Sequence, residues 1–410
     1  MAMKTVLNLR NQLEKFANSR KLSFTSNKLA PIKYAERNNS GTLLKVEFTD
    51  DKANEYPSSF LQDNCTCPQC FHPSSLSRTR KMTQLNLQNV LEKVEFNLNQ
   101  VKCTWGDGHE GVFTENWLFD RRFTTDNINY LKTGLRDDPI LVESSHKLHT
   151  ANFNQVLNDK SVLNDTLMTL CKVGVVLIQD GPLEVGGLRK LVDKIGFIRQ
   201  THYGHEFTVK SEKNAANLAY TSIHLCVHTD LPYYVYPPGV QLLHCIKQFV
   251  GDGGRSHLVD GFLVADKMLQ AYPKEFKTLC KVPLEFSDVG KDFIEFNKVH
   301  HSPTFVLEPR TGKVTRIVYS NQQLSSYQPI PIDQVDEVYH ALKVFTDLCY
   351  DPKNLIQFKL NDGEMLVFDN WRYLHGREGF DPSAGDRHLE GCYVDWDEIF
   401  SRIRILQEKS

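Results

Sequence analysis

Met365-Leu366-Val367-Phe368-Asp369-Asn370-Trp371-Arg372-Tyr373-Leu374-His375-Gly376-Arg377 is the stretch whose reading sets the fold class. Its first four residues form a short apolar run with a polar break behind it, which is the length and content of a buried strand. An isolated histidine follows, read here as standing at a strand end. Val173 to Gln179 and Val240 to Cys245 have the same buried-strand character. Around these runs, Phe153 to Cys171, Gly187 to Ile195 and Val335 to Leu348 space their apolar residues three and four apart, as helices with one buried face do. Strands interrupted by helices, with many Gly and Pro turns, predict a mainly β domain over 149–410, a sandwich or barrel core with helical buttresses.

Moving outward, residues 41–123 change to short alternating runs such as Leu43-Leu44-Lys45-Val46-Glu47-Phe48 and Val101-Lys102-Cys103-Thr104-Trp105, the latter followed by a Gly106-Asp107-Gly108 turn. Period-two alternation of β-branched and aromatic residues predicts a small β-rich unit. Residues 124–148, with turn formers and charges, are expected to link the two. The first 37 residues are basic, and Val6, Leu9, Leu13 and Phe16 place an apolar stripe on one helical face. This amphipathic, acid-poor extension has the character of a mitochondrial presequence; a surface helix of a cytoplasmic protein is the alternative.

The 410 residues carry 48 Lys and Arg against 50 Asp and Glu, a net charge of −2, which lacks the basic excess of a general nucleic-acid binder. No run approaches the roughly 18 apolar residues of a bilayer span, so no membrane association is expected. Walker-type loops are missing from the sequence, and internal repeats are too.

Two constellations of metal-ligating residue types stand out. Cys65-Thr66-Cys67-Pro68-Gln69-Cys70 brings three soft sulfurs into six residues. His109, after the Gly106 to Gly108 turn, is the expected fourth ligand of a tetrahedral zinc site, while His72 is too close in sequence to turn back. Four protein ligands leave no open position, so such a zinc would be structural; free thiols in a reducing compartment are the alternative. The second constellation starts at His228-Thr229-Asp230. On an extended strand residues i and i+2 share a face, which supplies two adjacent ligands of a two-His-one-carboxylate triad for Fe(II). The spacing alone is weak, since 15 histidines and 50 acids give about two His-x-acid pairs by chance. Two exist, the other being His388-Leu389-Glu390. His375 is a candidate third ligand, and Arg387 could fork two N–H bonds onto the distal carboxylate of a chelating keto acid such as 2-oxoglutarate.

His228-Thr229-Asp230, Pro237-Pro238-Gly239-Val240-Gln241-Leu242-Leu243-His244-Cys245-Ile246-Lys247, the segment Asp369 to Arg377, and Arg387-His388-Leu389-Glu390-Gly391 together resemble the γ-butyrobetaine dioxygenase family. The resemblance includes Cys65, Cys67, Cys70 and His109 and runs from about residue 40 onward. It implies a small zinc-binding N-terminal domain and a double-stranded β-helix (jelly-roll) catalytic domain, in a homodimer. Carried over residue by residue, it makes His228, Asp230 and His375 the iron ligands, Arg387 the 2-oxoglutarate anchor, and Glu390 no ligand. The implied chemistry is hydroxylation of an unactivated C–H with O₂ and 2-oxoglutarate, ascorbate supporting the iron, and succinate and CO₂ as co-products.

A quaternary ammonium substrate has no N–H to offer and is held by aromatic faces through cation–π attraction. The family's cage positions match Tyr203, Tyr220 and Tyr393, and Phe207 stands where the family usually has tryptophan. Phenylalanine keeps a π face with a weaker quadrupole interaction, so the expected cage is looser. Asn217 matches a residue near the substrate carboxylate; the second asparagine of that subsite is replaced by Ser320, with Asn321 beside it. The expected reaction is γ-butyrobetaine to L-carnitine. The sister activity on N6-trimethyllysine is the alternative, favoured by the presequence but not by Tyr233-Tyr234-Val235-Tyr236-Pro237-Pro238-Gly239-Val240. A non-catalytic zinc-binding interaction protein is a third reading.

Overall fold

Alternation is what builds the N-terminal unit. Along Leu43–Phe48 the side chains of Leu44, Val46 and Phe48 are fully buried while those between them are not, so one face of the strand meets a core and the other meets solvent. The computed structural model describes residues 31–50, 53–125, 127–128, 134–210, 221–381 and 385–408, which fall into two units, 1–134 and 135–410. In the first, Leu43–Phe48 is the centre of an antiparallel sheet between Ile32–Arg37 and Ala53–Pro57, and Gln100–Trp105 is the centre of a second between Leu91–Phe96 and Glu110–Thr114. Their buried faces share one core containing Phe48, Tyr56, Trp105 and Phe113. Its two polar tips are satisfied: Trp105 Nε1 donates to Ser58 Oγ at 2.9 Å and the Tyr56 hydroxyl donates to Leu118 O at 2.6 Å.

The second unit is built on two sheets. A six-stranded sheet runs in the order Glu206–Val209, His388–Val394, Val240–Lys247, Met365–Asp369, Val175–Gln179, Thr150–Asn152; a four-stranded sheet runs Leu225–His228, Tyr373–Arg377, Ser256–Asp260, Leu355–Phe358. Pairings are antiparallel except the edge pair of Val175–Gln179 with Thr150–Asn152. Odd residues Gln241 and Leu243 of Val240–Lys247 line a cavity whose walls come from both sheets. Even residues Val240 and Leu242 instead meet Leu167 and Leu170 of the helix Lys160–Val173 and Ile399 of the helix Trp396–Glu408. A strand with one face on a cavity and one under helices is apolar on both, which is why these runs lack alternation. Behind the other sheet, the helices Gly261–Ala271, Pro273–Lys281 and Val335–Cys349 share a core with Val259 and Leu374. The unit is mainly β with helices outside, consistent with a jelly roll.

Three local expectations change. The stretch Phe153 to Cys171 is two helices, Phe153–Asn158 and Lys160–Val173, because Asp159 leaves the helical conformation and accepts from Ser161 N and Val162 N as an N-cap. Val173 ends the second helix instead of opening the strand, since Gly174 takes φ +83° as its left-handed cap. The 124–148 stretch is not a linker throughout. From Leu135 onward it belongs to the second unit, where Arg372 Nη2 donates to Ile140 O at 2.6 Å and Val142 N donates to the buried Asp260 carboxylate at 2.9 Å.

Candidate functional site

The triad is assembled by strand pairing. His228 closes the strand Leu225–His228 and lies directly opposite His375 inside Tyr373–Arg377, bringing the two imidazole centroids to 4.4 Å. Asp230, however, is not on that strand. It lies just past its end, before Leu231 at φ +58°, a left-handed conformation that is uncommon for a branched residue. Tertiary contacts therefore fix it in place of the strand alternation expected from the sequence. Thr229 N donates to Tyr319 O at 2.8 Å, Asp230 N donates to Asn370 Oδ1 at 2.7 Å, and the Tyr393 hydroxyl donates to Asp230 Oδ2 at 2.6 Å. Asp230 Oδ1 is left facing His228 Nε2 at 3.2 Å and His375 Nε2 at 3.6 Å, and the three ligand atoms lie within 4.8 Å of one another.

Protonation suits a divalent ion. His228 Nδ1 donates to Cys226 O at 2.8 Å, which leaves Nε2 as the ring nitrogen turned to the triad. Burial, then the neighbouring His228, push His375 down to about 3 against the pull of Asp230, which keeps it a neutral donor. Burial would raise Asp230, but the two histidines and the Tyr393 hydroxyl outweigh it and hold the carboxyl well below its ordinary range. Two imidazoles and one carboxylate on one side of a cavity fit an ion with open positions, the Fe(II) pattern.

The same cavity contains Arg387 and Arg377. Burial lowers Arg387 to about 10 and, with the charge of Arg387 added, Arg377 to about 9. Arg377 also donates to Thr221 O at 2.5 Å and Ile223 O at 3.1 Å. No carboxylate among the described residues pairs with Arg387, and its Nε has no partner there. Buried charge of one sign calls for an anion. On another wall Phe207 packs between Tyr203, at 5.4 Å between centroids, and Tyr393, at 5.3 Å. Phe207 pairs with Gly391, where a Cβ would come within 2.3 Å of the phenyl ring, so glycine lets the ring lie on the strand.

Placement of the remaining expected residues is mixed. Asn217 and Tyr220 lie outside the described residues. Ser320 is fully buried and Asn321 exposed; Ser320 Oγ instead meets the amides of Gln322, at 3.0 Å, and Gln323, and both glutamines line the cavity. Glu390 points to the opposite side of its sheet, accepting from Gly186 N at 2.9 Å beside His244. Arg377, Gln241, Gln322 and Gln323 had no sequence signal of their own, although Gln241 and Arg377 stand in quoted motifs.

In the N-terminal unit, Cys65, Cys67, Cys70 and His109 do come together, with His109 Nε2 at 3.3, 4.0 and 3.6 Å from the three sulfurs. Asp107 Oδ1 accepts from His109 N at 2.9 Å and holds the turn that returns the imidazole. His72 is turned away onto Ser75, 2.8 Å from its hydroxyl. Burial pushes the Cys65 thiol up to about 12 and, followed by the Arg80 charge, lowers His109, so a bound cation would have to deprotonate the sulfur and would find the imidazole neutral.

Two family models match the chain: "Taurine catabolism dioxygenase TauD, TfdA family" over residues 138–393 and "Gamma-butyrobetaine hydroxylase-like, N-terminal" over residues 35–119. The γ-butyrobetaine dioxygenase of Homo sapiens is 35% identical over 92% of this chain and 98% of its own length. The chain belongs to the γ-butyrobetaine dioxygenase family. The Pseudomonas sp. (strain AK-1) γ-butyrobetaine dioxygenase is 30% identical over 92% of this chain and 97% of its own. The mitochondrial trimethyllysine dioxygenase of Homo sapiens is 29% identical over 85% and 82%. As a member of this family the chain is a 2-oxoglutarate-dependent dioxygenase, and the iron and 2-oxoglutarate that membership implies suit the donor set and the Arg387 guanidinium, which has no carboxylate partner among the described residues.

Proposed function

We propose that this protein hydroxylates γ-butyrobetaine at C3 to give L-carnitine, with succinate and CO₂ as co-products. One observation carries the reading: an open His228, Asp230, His375 triad, an arginine without a carboxylate partner and an aromatic wall line one cavity. When bound, Fe(II) and 2-oxoglutarate supply the activation of O₂ and the oxidising power for an unactivated C–H. The protein's part is positioning. Asp230, held deprotonated, with His228 and His375 would hold the ion; Arg387 would take the distal carboxylate of 2-oxoglutarate; and Tyr203, Phe207 and Tyr393, with Tyr220, would offer π faces to the trimethylammonium group. Each desolvated cation–π contact is worth about 0.5 to 2 kcal/mol. Asn217 and the glutamine amides beside Ser320 serve the substrate carboxylate.

The reading includes a structural zinc on Cys65, Cys67, Cys70 and His109, ascorbate to keep the iron ferrous, a homodimer, and a mitochondrial address carried by residues 1–37, of which 1–30 lie outside the described residues. The test is a competition: protein, Fe(II), ascorbate, 2-oxoglutarate and equal amounts of γ-butyrobetaine and trimethyllysine, followed by mass spectrometry. Gain of one oxygen by γ-butyrobetaine is the expected outcome. Hydroxytrimethyllysine as the main product would move the enzyme to the sister activity, and succinate with neither product would mean a pocket for another substrate.

A further inference from the structure

The inward face of Val240–Lys247 poses a question that packing does not answer. Leu243 on that face is apolar, as are Leu366 and Leu389 from the neighbouring strands, yet Gln241 among them is a carboxamide. It is 2% exposed, and its Oε1 is buried with no hydrogen-bond partner among the described residues. A methionine or leucine would fill the same space without the cost of an unsatisfied buried polar group. A buried amide kept at that cost, facing a ligand cavity, points to a ligand that satisfies it.

Its neighbours say which end of the cavity it serves. Gln241 is directly across from Tyr393, whose hydroxyl donates to Asp230, and from Phe368, whose ring centroid is 5.0 Å from that of His375. It therefore lies one strand step from both sides of the triad, on the sheet opposite the two histidines. Farther along the same strand, Cys245 pairs with Leu389 and Lys247 with His388, the residue after Arg387. The strand thus runs as a floor from the triad to the arginine. The oxygen and nitrogen of an amide exchange places by a half-turn of the group, so the position that lacks a partner can hold the N–H pair, and being neutral the amide does not compete for the metal.

We propose that the Gln241 carboxamide donates to the keto-acid head of 2-oxoglutarate. The cosubstrate is then held at both ends, by Arg387 at the distal carboxylate and by Gln241 beside the triad. The assignment rests on the dioxygenase reading of the site. A trimethylammonium group has neither donor nor acceptor for the amide, and the keto-acid carboxylate is an acceptor that must come to the triad.

The test is an anaerobic titration of the Fe(II)-loaded full-length protein with 2-oxoglutarate, following the visible charge-transfer band, in wild type, Gln241→Met and Gln241→Glu. Gln241→Met should melt at or above the wild-type temperature without ligands, because an unpaired amide has been removed, and should bind 2-oxoglutarate about ten-fold more weakly. Gln241→Glu, nearly the same shape with a charge repelling the carboxylate, should bind more weakly still, and it covers the case in which the methionine variant does not fold. Unchanged 2-oxoglutarate affinity in both variants would overturn the assignment, including the case where only the KM for γ-butyrobetaine rises, which would assign the amide to the substrate. A wild-type protein with no band would remove the dioxygenase reading and this assignment with it, so the two failures are distinguishable.

Discussion

The two metal-ligand clusters are built on opposite plans. In the N-terminal unit three cysteines within six residues meet one histidine, and the four ligand atoms lie within 4.8 Å of one another. In the second unit three ligands converge among the described residues, His228 and Asp230 from one short segment and His375 from far downstream, and their free side faces a cavity containing a guanidinium with no carboxylate partner among the described residues. Ligand count separates the roles. Four ligands close a tetrahedron and leave nothing for chemistry, whereas three on one face keep positions for cosubstrate and O₂. The support differs as well: a turn held by Asp107 serves the first cluster, and long-range contacts from Asn370, Tyr319 and Tyr393 serve the second.

Breaking each cluster should therefore have different consequences. The largest effect is expected for Cys67→Ser: structural zinc contributes roughly 10 to 16 kcal/mol in small zinc domains, so with the proposed zinc in place the variant should lose that metal and the melting transition of the N-terminal unit, read by metal analysis and calorimetry. Asp230→Ala should leave zinc content and melting intact while turnover falls on the order of a thousand-fold or more, about 4 kcal/mol of barrier; loss of fold in this variant would show the metals to be misplaced. Tyr393→Phe removes only the hydroxyl that holds Asp230 Oδ2. Loss of such a supporting hydrogen bond should weaken iron binding or turnover by roughly 10- to 100-fold, which an iron titration of the variant measures. The smallest effect belongs to Gly391→Ala, which pushes the Phe207 ring off its strand; the KM for a trimethylammonium substrate should rise about 2- to 30-fold, with 2-oxoglutarate affinity unchanged as the control.

The same contrast explains what the sequence could tell. Cys65, Cys67, Cys70 and the turn before His109 are local, and local spacing is legible. The buried strands around Val175 and Met365 were readable from their apolar runs, with ends shifted where Gly174 and Asp159 decide matters by capping. Asp230 was a candidate for an incomplete reason: strand alternation ends at His228, and the carboxylate is aimed by partners that spacing cannot name. Gln241, Gln322 and Gln323 carry no pattern of their own, because what singles them out is a cavity made by two sheets. The pairing of Phe207 with Gly391 is of the same kind, since neither residue implies the other until the strands are side by side.

The proposed pairing of a closed zinc centre with an open iron centre in one chain is tested most directly by removing the iron with a mild chelator and measuring turnover of γ-butyrobetaine, melting temperature and zinc together. Turnover should vanish while one zinc per chain and the melting temperature persist, and Fe(II) alone should restore activity. Recovery with zinc, or unfolding of the second unit as iron leaves, would contradict it.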